Sequence, residues 1–246
     1  MPRYDFRSPR LFVDAPLSAG AVVPLAREQA HYLGNVLRLG PGDAVLAFNG
    51  RDGEWRATLA GGKKVTSLAV AEQTRTQPAG GDVHLLFAPL KHARLDYMVQ
   101  KAVELGVSRL VPILTRHTQV ARVNLERMRA NAIEAAEQCG VLAVPEVAEP
   151  VAFNALTFGP ERLVVFCDEA ADVADPLAAL RAATNAPTPP VAVVIGPEGG
   201  FTEEERAQLL RAPSVVRLAL GPRILRADTA AVAALTVVQA VLGDWR

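Results

Sequence analysis

The segment that most constrains this chain is Val191-Ala-Val-Val-Ile195 running into Gly196-Pro-Glu-Gly-Gly200, followed one element later by Leu220-Gly-Pro-Arg-Ile-Leu-Arg226. An unbroken apolar run bounded by glycines reads as a buried strand. Two loops at the carboxyl ends of strands mark where an open α/β sheet holds its ligand. The first loop carries Glu198, and the next helix opens with Glu203, Glu204 and Glu205. Helix N-termini otherwise attract phosphate, so this much negative charge points to a neutral or cationic ligand. The chain also lacks the GxxxxGK[ST] pattern of a phosphate-binding loop. Taken alone, the first loop reads equally as a tight strand-to-helix turn, in which glycine supplies positive φ. The second loop is too apolar for a surface turn, and Ile224 and Leu225 are expected to bury against something. They form either the floor for a flat ring whose edge is read by backbone groups, or core packing beneath Arg223 and Arg226.

The rest of the chain divides at Gln77-Pro-Ala-Gly-Gly-Asp82, predicting domains over 1–75 and 76–246. Before the break, Leu11–Val13, Val22–Leu25, Ala44–Phe48, Glu54–Leu59 and Val65–Val70 read as short strands between Gly, Pro and Asp-Gly turns, with one helix over Glu28–Arg38. Strands at this spacing make a small β-barrel. After the break, strands at Val83–Phe87, Leu110–Leu114, about Glu146, Leu163–Phe166 and Val191–Ile195 alternate with helices. Those helices span His92–Leu105, Asn124 to about Cys139, Pro176–Ala183, the segment capped by Thr202 with Glu205, and Thr229–Leu242, which Asp228 or Thr229 caps. The predicted fold class is therefore α/β, a mostly parallel sheet covered by helices.

Charge excludes little: 26 Lys+Arg balance 26 Asp+Glu over 246 residues. Residues 1–75 hold 10 basic and 7 acidic residues and 76–246 hold 16 and 19, a mild asymmetry that permits a basic first domain. Cys139 and Cys167 match no zinc spacing, and His31, His84, His92 and His117 are scattered, so no metal site is expected. The first residues lack the apolar core of a signal peptide, and the run Thr229–Gly243 is too short for a membrane span. A cytoplasmic protein without a membrane partner is the expectation.

Four segments together resemble the RsmE family of ribosomal RNA small-subunit methyltransferases, which belong to the SPOUT class. They are Ile195-Gly-Pro-Glu-Gly-Gly200, Leu220–Ala230, Lys91-His-Ala-Arg-Leu-Asp-Tyr-Met-Val-Gln-Lys-Ala-Val-Glu-Leu-Gly-Val107 and His31-Tyr-Leu-Gly-Asn-Val-Leu-Arg-Leu-Gly-Pro-Gly-Asp43. The resemblance runs nearly end to end and in order. It implies a PUA-like barrel followed by a catalytic sheet with a carboxyl-terminal trefoil knot, a topology that general chain-connection rules argue against. It implies a homodimer that methylates uridine N3 of 16S ribosomal RNA, within the small subunit, using S-adenosylmethionine. Carried over by position, Gly196, Pro197, Glu198, Gly199 and Gly200 form one wall of the cofactor site, and Leu220, Gly221, Ile224, Leu225 and Arg226 the other. Phe166, with Cys167 and Asp168, adds a third contact. Three positions depart from the family pattern: Cys139 stands where serine is usual, Val141 where arginine is usual, and Asp228 where glutamate is commoner.

For this chemistry Arg226 is the candidate catalytic cation, stabilising the anion that develops on the base. The alternative is a structural arginine that pairs with Glu198 or caps carbonyls. Asp168, Glu169 and Glu198 are the nearest acids. RNA contacts are expected from Arg3, Arg7, Arg10 and Arg38 in the barrel and from Lys91, Arg94 and Arg116 in the catalytic domain. The rival readings are a SPOUT enzyme acting on a ribose 2′-hydroxyl and a non-catalytic ribosome-assembly protein. The second is disfavoured by the intact loop glycines.

Overall fold

The computed structural model describes residues 5, 7–62, 64–120, 122–172, 175–184, 186 and 188–245. The chain forms two compact units: residues 1–79 with 136–144, and residues 80–135 with 145–246. Arg3 lies outside the described residues.

The first unit contains β1 (Arg10–Phe12), β2 (Val22–Pro24), α1 (Arg27–His31), β3 (Ala44–Phe48), β4 (Glu54–Gly61) and β5 (Val65–Arg75). Among the described residues its strands make one sheet in the order β1-β3-β4-β5-β2, parallel at β1/β3 and antiparallel elsewhere. Leu33, Val45, Ala47, Leu59 and Leu68 fill its core. The expected helix over Glu28–Arg38 is shorter. After α1 the chain makes a π-helical turn over Tyr32–Val36, and Arg38 takes a φ of 58°, which ends the helical path. Residues 136–144 join this unit because Glu137 Oε1 accepts the Phe12 N–H at 2.8 Å and Gly140 O accepts from Arg75 at 2.9 Å. Beside them, Glu54 takes Arg10 Nε at 3.0 Å and Arg75 Nη2 at 2.7 Å with side chains at 5% (Arg10), 14% (Arg75) and 3% (Glu54) exposure. Burial pushes the Glu54 carboxyl up, and the Arg75, Thr74 and Arg10 bonds outweigh it, holding it below its usual value. Arg10 is thus corrected from an RNA-facing cation to a buried structural one.

The second unit runs β6 (Val83–Phe87), α2 (His92–Glu104), β7 (Arg109–Leu114), α3 (Leu125–Cys139, its last turn lying in the first unit), β8 (Glu146–Val147) and β9 (Val151–Ala152). It continues with β10 (Leu163–Cys167), α4 (Pro176–Ala183), β11 (Val191–Ile195), α5 (Glu203–Leu210), β12 (Val215–Leu218) and α6 (Ala227–Val241). Among the described residues the sheet order is β12-β10-β11-β6-β7-β8, with β9 paired to β7, and every pairing is parallel. One face buries Leu86, Val111, Val164, Phe166, Ala192 and Val194 with Phe153 and Leu209. On the other side α6 packs on β11 and against α2 and α4. Gln239 fastens two of these helices: buried in α6, its Nε2 donates to Leu105 O at 2.6 Å, at the end of α2. Asn124 caps α3 through the Arg127 N–H at 3.0 Å, and Gly106, at φ 73°, closes α2. The last helix begins earlier than expected. Arg226, not Asp228 or Thr229, stands at its N-cap, because the Asp228 carboxylate is drawn to Arg94 at 3.4 Å and to the Thr229 N–H at 3.0 Å.

Candidate active site

Strand order explains where the site falls. The chain lays β6, β7 and β8 outward in one direction, then returns to place β10, β11 and β12 on the other side of β6. Carboxyl ends beside such a reversal are where open sheets leave a crevice. A cleft of about 280 Å³ opens there, walled by Cys167–Glu169 after β10, Ile195–Glu198, Gly200 and Phe201 after β11, and Leu218–Leu225 after β12. Ala227 and Ala230 of α6 and Arg206 of α5 complete the wall.

The first loop is held from several sides. Gly200 takes a φ of 69° while its N–H donates to Pro197 O at 2.9 Å. Thr202 and Glu205 form the expected capping box: Glu205 N donates to Thr202 Oγ1 at 3.2 Å and Thr202 N to Glu205 Oε2 at 2.9 Å. The other Glu205 oxygen accepts the Arg116 N–H at 2.8 Å, and His117 Nδ1 lies 3.1 Å from Gly200 O. Gly196 allows Phe201 to lie against the loop, since a Cβ there would stand 2.8 Å from the Phe201 ring. Phe201 in turn packs on Phe153 and Phe166, each ring centroid 5.5 Å away.

Glu198 does not meet Arg226. Its partner is Arg94 at 2.7 Å, which also reaches Asp228 at 3.4 Å. One α2 arginine therefore ties the first loop to the start of α6, a position unlike the RNA-facing one expected of it. Phe166 is likewise corrected: its side chain is fully buried beneath Phe201, and the cleft is reached only one and two residues later. Gly199 abuts His117, where a Cβ would sit 3.2 Å from the His117 Cβ, and it does not line the cleft. Arg226 is exposed at the head of α6, next to lining residues Leu225 and Ala227. Ile224 was expected to bury, yet it stands 90% exposed on a loop without regular structure, so whatever covers it is not this chain's own core.

Two functional features escaped the sequence. Phe201 had a signal, an aromatic directly after the glycines. The Asp168 cluster had none. Asp168 is buried and holds Arg206 through one oxygen and Arg217 Nε through the other at 2.8 Å, pairings 38 and 49 residues apart. Cys167 beside it has its thiol pushed up to about 12, first by burial and then by Asp168, so it is no nucleophile at neutral pH. No group of three or more His, Cys, Asp or Glu able to hold a metal occurs among the described residues, and no described helix is long and apolar enough to cross a membrane.

The cleft's chemistry suits a ligand with a flat ring and a charged tail. Ile195, Pro197, Phe201, Leu220 and Leu225 supply apolar walls. Gly221, at φ 96° and with nothing within 4 Å of a built Cβ, leaves backbone open on one side. Charged Asp168, Glu169, Glu198 and Arg206 stand at the rim and floor.

Comparison with known proteins agrees with this geometry. The RNA methyltransferase domain family matches residues 77–239, and the RNA methyltransferase PUA domain family matches residues 25–68. The ribosomal RNA small subunit methyltransferase E of Rickettsia conorii is 30% identical over 232 residues, covering 94% of each chain. That of Synechocystis is 34% identical over 241 residues, covering 95% of this chain and 78% of the relative. The crystal structure of the Neisseria gonorrhoeae enzyme of that name, bound to S-adenosylmethionine, superposes with a TM-score of 0.84 at 29% identity over 98% of this chain and all of the other. A small five-stranded first unit matched by a PUA family, an all-parallel second sheet and a cleft at its strand ends all accord with these matches: the chain belongs to the ribosomal RNA small-subunit methyltransferase E family.

Proposed function

We propose that this protein transfers a methyl group from S-adenosylmethionine to N3 of a uridine in small-subunit ribosomal RNA. The observation that carries the reading is the glycine-walled cleft at the carboxyl ends of β10, β11 and β12, in a chain of this family. When bound there, S-adenosylmethionine would supply an electrophilic methyl: N3 would take it as the S–CH3 bond breaks to leave a neutral thioether, the N3 proton passing to solvent. The residues proposed to hold the cofactor are Gly196, Pro197, Glu198, Gly200, Leu220, Gly221, Ile224 and Leu225, with Cys167 and Asp168 in place of Phe166. Their task is alignment, the larger part of such a transfer. Arg226 is proposed to stabilise the negative charge on the deprotonated base; its exposure beside the cleft supports that role.

The loops are proposed to form the family's trefoil knot. Exposed Arg7 and Arg38 of the first unit and Lys91 and Arg116 of the second are proposed to meet RNA phosphates. A homodimer is proposed, supported by Ile224 and by the partly exposed stripe Val232, Ala233, Thr236 and Val237 on α6. Work on ribosomal RNA supports a cytoplasmic location.

The test is transfer from labelled S-adenosylmethionine to small subunits lacking the modification, with the product nucleoside identified by mass spectrometry. The expected product is 3-methyluridine, lost in Gly196→Val. A 2′-O-methylated product would move the target atom, and absence of cofactor binding would overturn the reading of both loops.

A further inference from the structure

Arg206 is the fourth residue of α5, lines the cleft, and has a side chain only 19% exposed. Its anionic partner is shared. Asp168, with a side chain 1% exposed, gives one oxygen to Arg206 and to the Ala170 N–H (3.1 Å), and the other to Arg217 at 2.8 Å. Asp168 and Glu203 balance the two guanidinium groups, but of the two acids only Asp168 is within hydrogen-bond reach of Arg206. The two arginines differ in where their charge is felt. Arg217 spends a second group on Ala170 O at 2.9 Å and does not line the cleft. Arg206 has Glu203 3.8 Å from its Nε, beyond hydrogen-bond reach, and that glutamate is 91% exposed. A guanidinium carries five N–H donors, and Asp168 engages Arg206 through Nη1, leaving Nη2 to meet a ligand in the cleft.

On the methyl donor, adenine and ribose are neutral, and the sulfonium and ammonium are positive. The carboxylate is the one anionic group. The Arg206 guanidinium on the wall attracts that end and disfavours the reverse placement, in which the sulfonium would lie against it. Of the other acids on the cleft wall, Glu198 is engaged by Arg94 and Glu169 is exposed to solvent. We propose that Arg206 receives the carboxylate of the cofactor's amino-acid end and so sets the orientation of the methyl donor. The proposal rests on reading the cleft as the methyl-donor site.

The experiment compares binding of S-adenosylmethionine with that of its decarboxylated form by calorimetry, at fixed ionic strength. The full-length protein should prefer the carboxylated molecule by about ten- to a hundredfold, the range expected for a hydrogen bond to a charged group. Arg206→Gln should abolish that preference, and Arg206→Lys should keep part of it. Arg217→Gln also takes a partner from Asp168 but lies off the cleft, so it should keep the wild-type ratio. Equal binding of the two molecules by the wild-type protein, which needs no variant to fold, would overturn the proposal. So would an undiminished preference in Arg206→Gln, or equal loss of preference in both arginine variants. Failure of the wild-type protein to bind either molecule would instead overturn the methyl-donor reading on which it rests.

Discussion

At the scale of single residues the site is governed by what small side chains leave room for. Gly196→Ala drives a methyl into a Phe201 ring that Phe153 and Phe166 prevent from retreating. The expected cost is about 1–3 kcal/mol of stability, as for other overpacked positions, with weaker S-adenosylmethionine binding. Urea denaturation and calorimetry check the two parts. A second expectation concerns thiols. Cys139 is exposed, whereas the Cys167 thiol is raised to about 12. Iodoacetamide at pH 8 should label Cys139 in the native protein and spare Cys167 until denaturation, as read by peptide mass spectrometry. The glycine loops and the aromatic that follows them are legible because each is a local string. Arg206 and Asp168 are not, because no pattern of neighbours announces a pairing across 38 residues.

Among the elements, those with sharp borders were the most readable. β3, β6, β11 and α4 begin and end at the residues the sequence indicates, since apolar runs with Gly, Pro or Asp at their borders leave little choice. β9 and the 3₁₀ turn over Phe153–Ala155 were missed, for two paired residues carry no period. The start of α6 was misplaced because a tertiary partner, Arg94, took the carboxylate that the local rule assigns to capping. The β4–β5 ladder holds the buried charge with the clearest consequence. Glu54→Gln removes the carboxylate between Arg10 and Arg75 and should destabilise the first unit by about 3–5 kcal/mol at pH 7, the cost of breaking a buried pair. Because the folded carboxyl lies below its ordinary 4.5, its stabilisation is complete above that pH and fades as pH falls through the lowered value. Thermal melts from pH 7 to 3 should therefore show the gap between wild type and variant closing on the acid side.

For the whole molecule, the first expectation is association. Light scattering should give the mass of two chains, and Val237→Glu on the half-exposed stripe of α6 should return it toward one while leaving the fold's circular dichroism intact. A wild-type monomer would overturn the homodimer that Ile224 and the α6 stripe support. The discontinuity of the first unit has a consequence of another kind. It is completed by residues 136–144, which arrive after most of α3 and contribute the Glu137 carboxylate to Phe12 and the Gly140 carbonyl to Arg75. Cutting the gene at the glycine-rich break near residue 80 would remove these contacts and yield an incomplete first unit, not a portable cassette. On the ribosome, too, the amino-terminal unit has to wait: synthesis delivers its last strap only when residue 144 has emerged, by which time β6, α2 and β7 are already out and competing for partners.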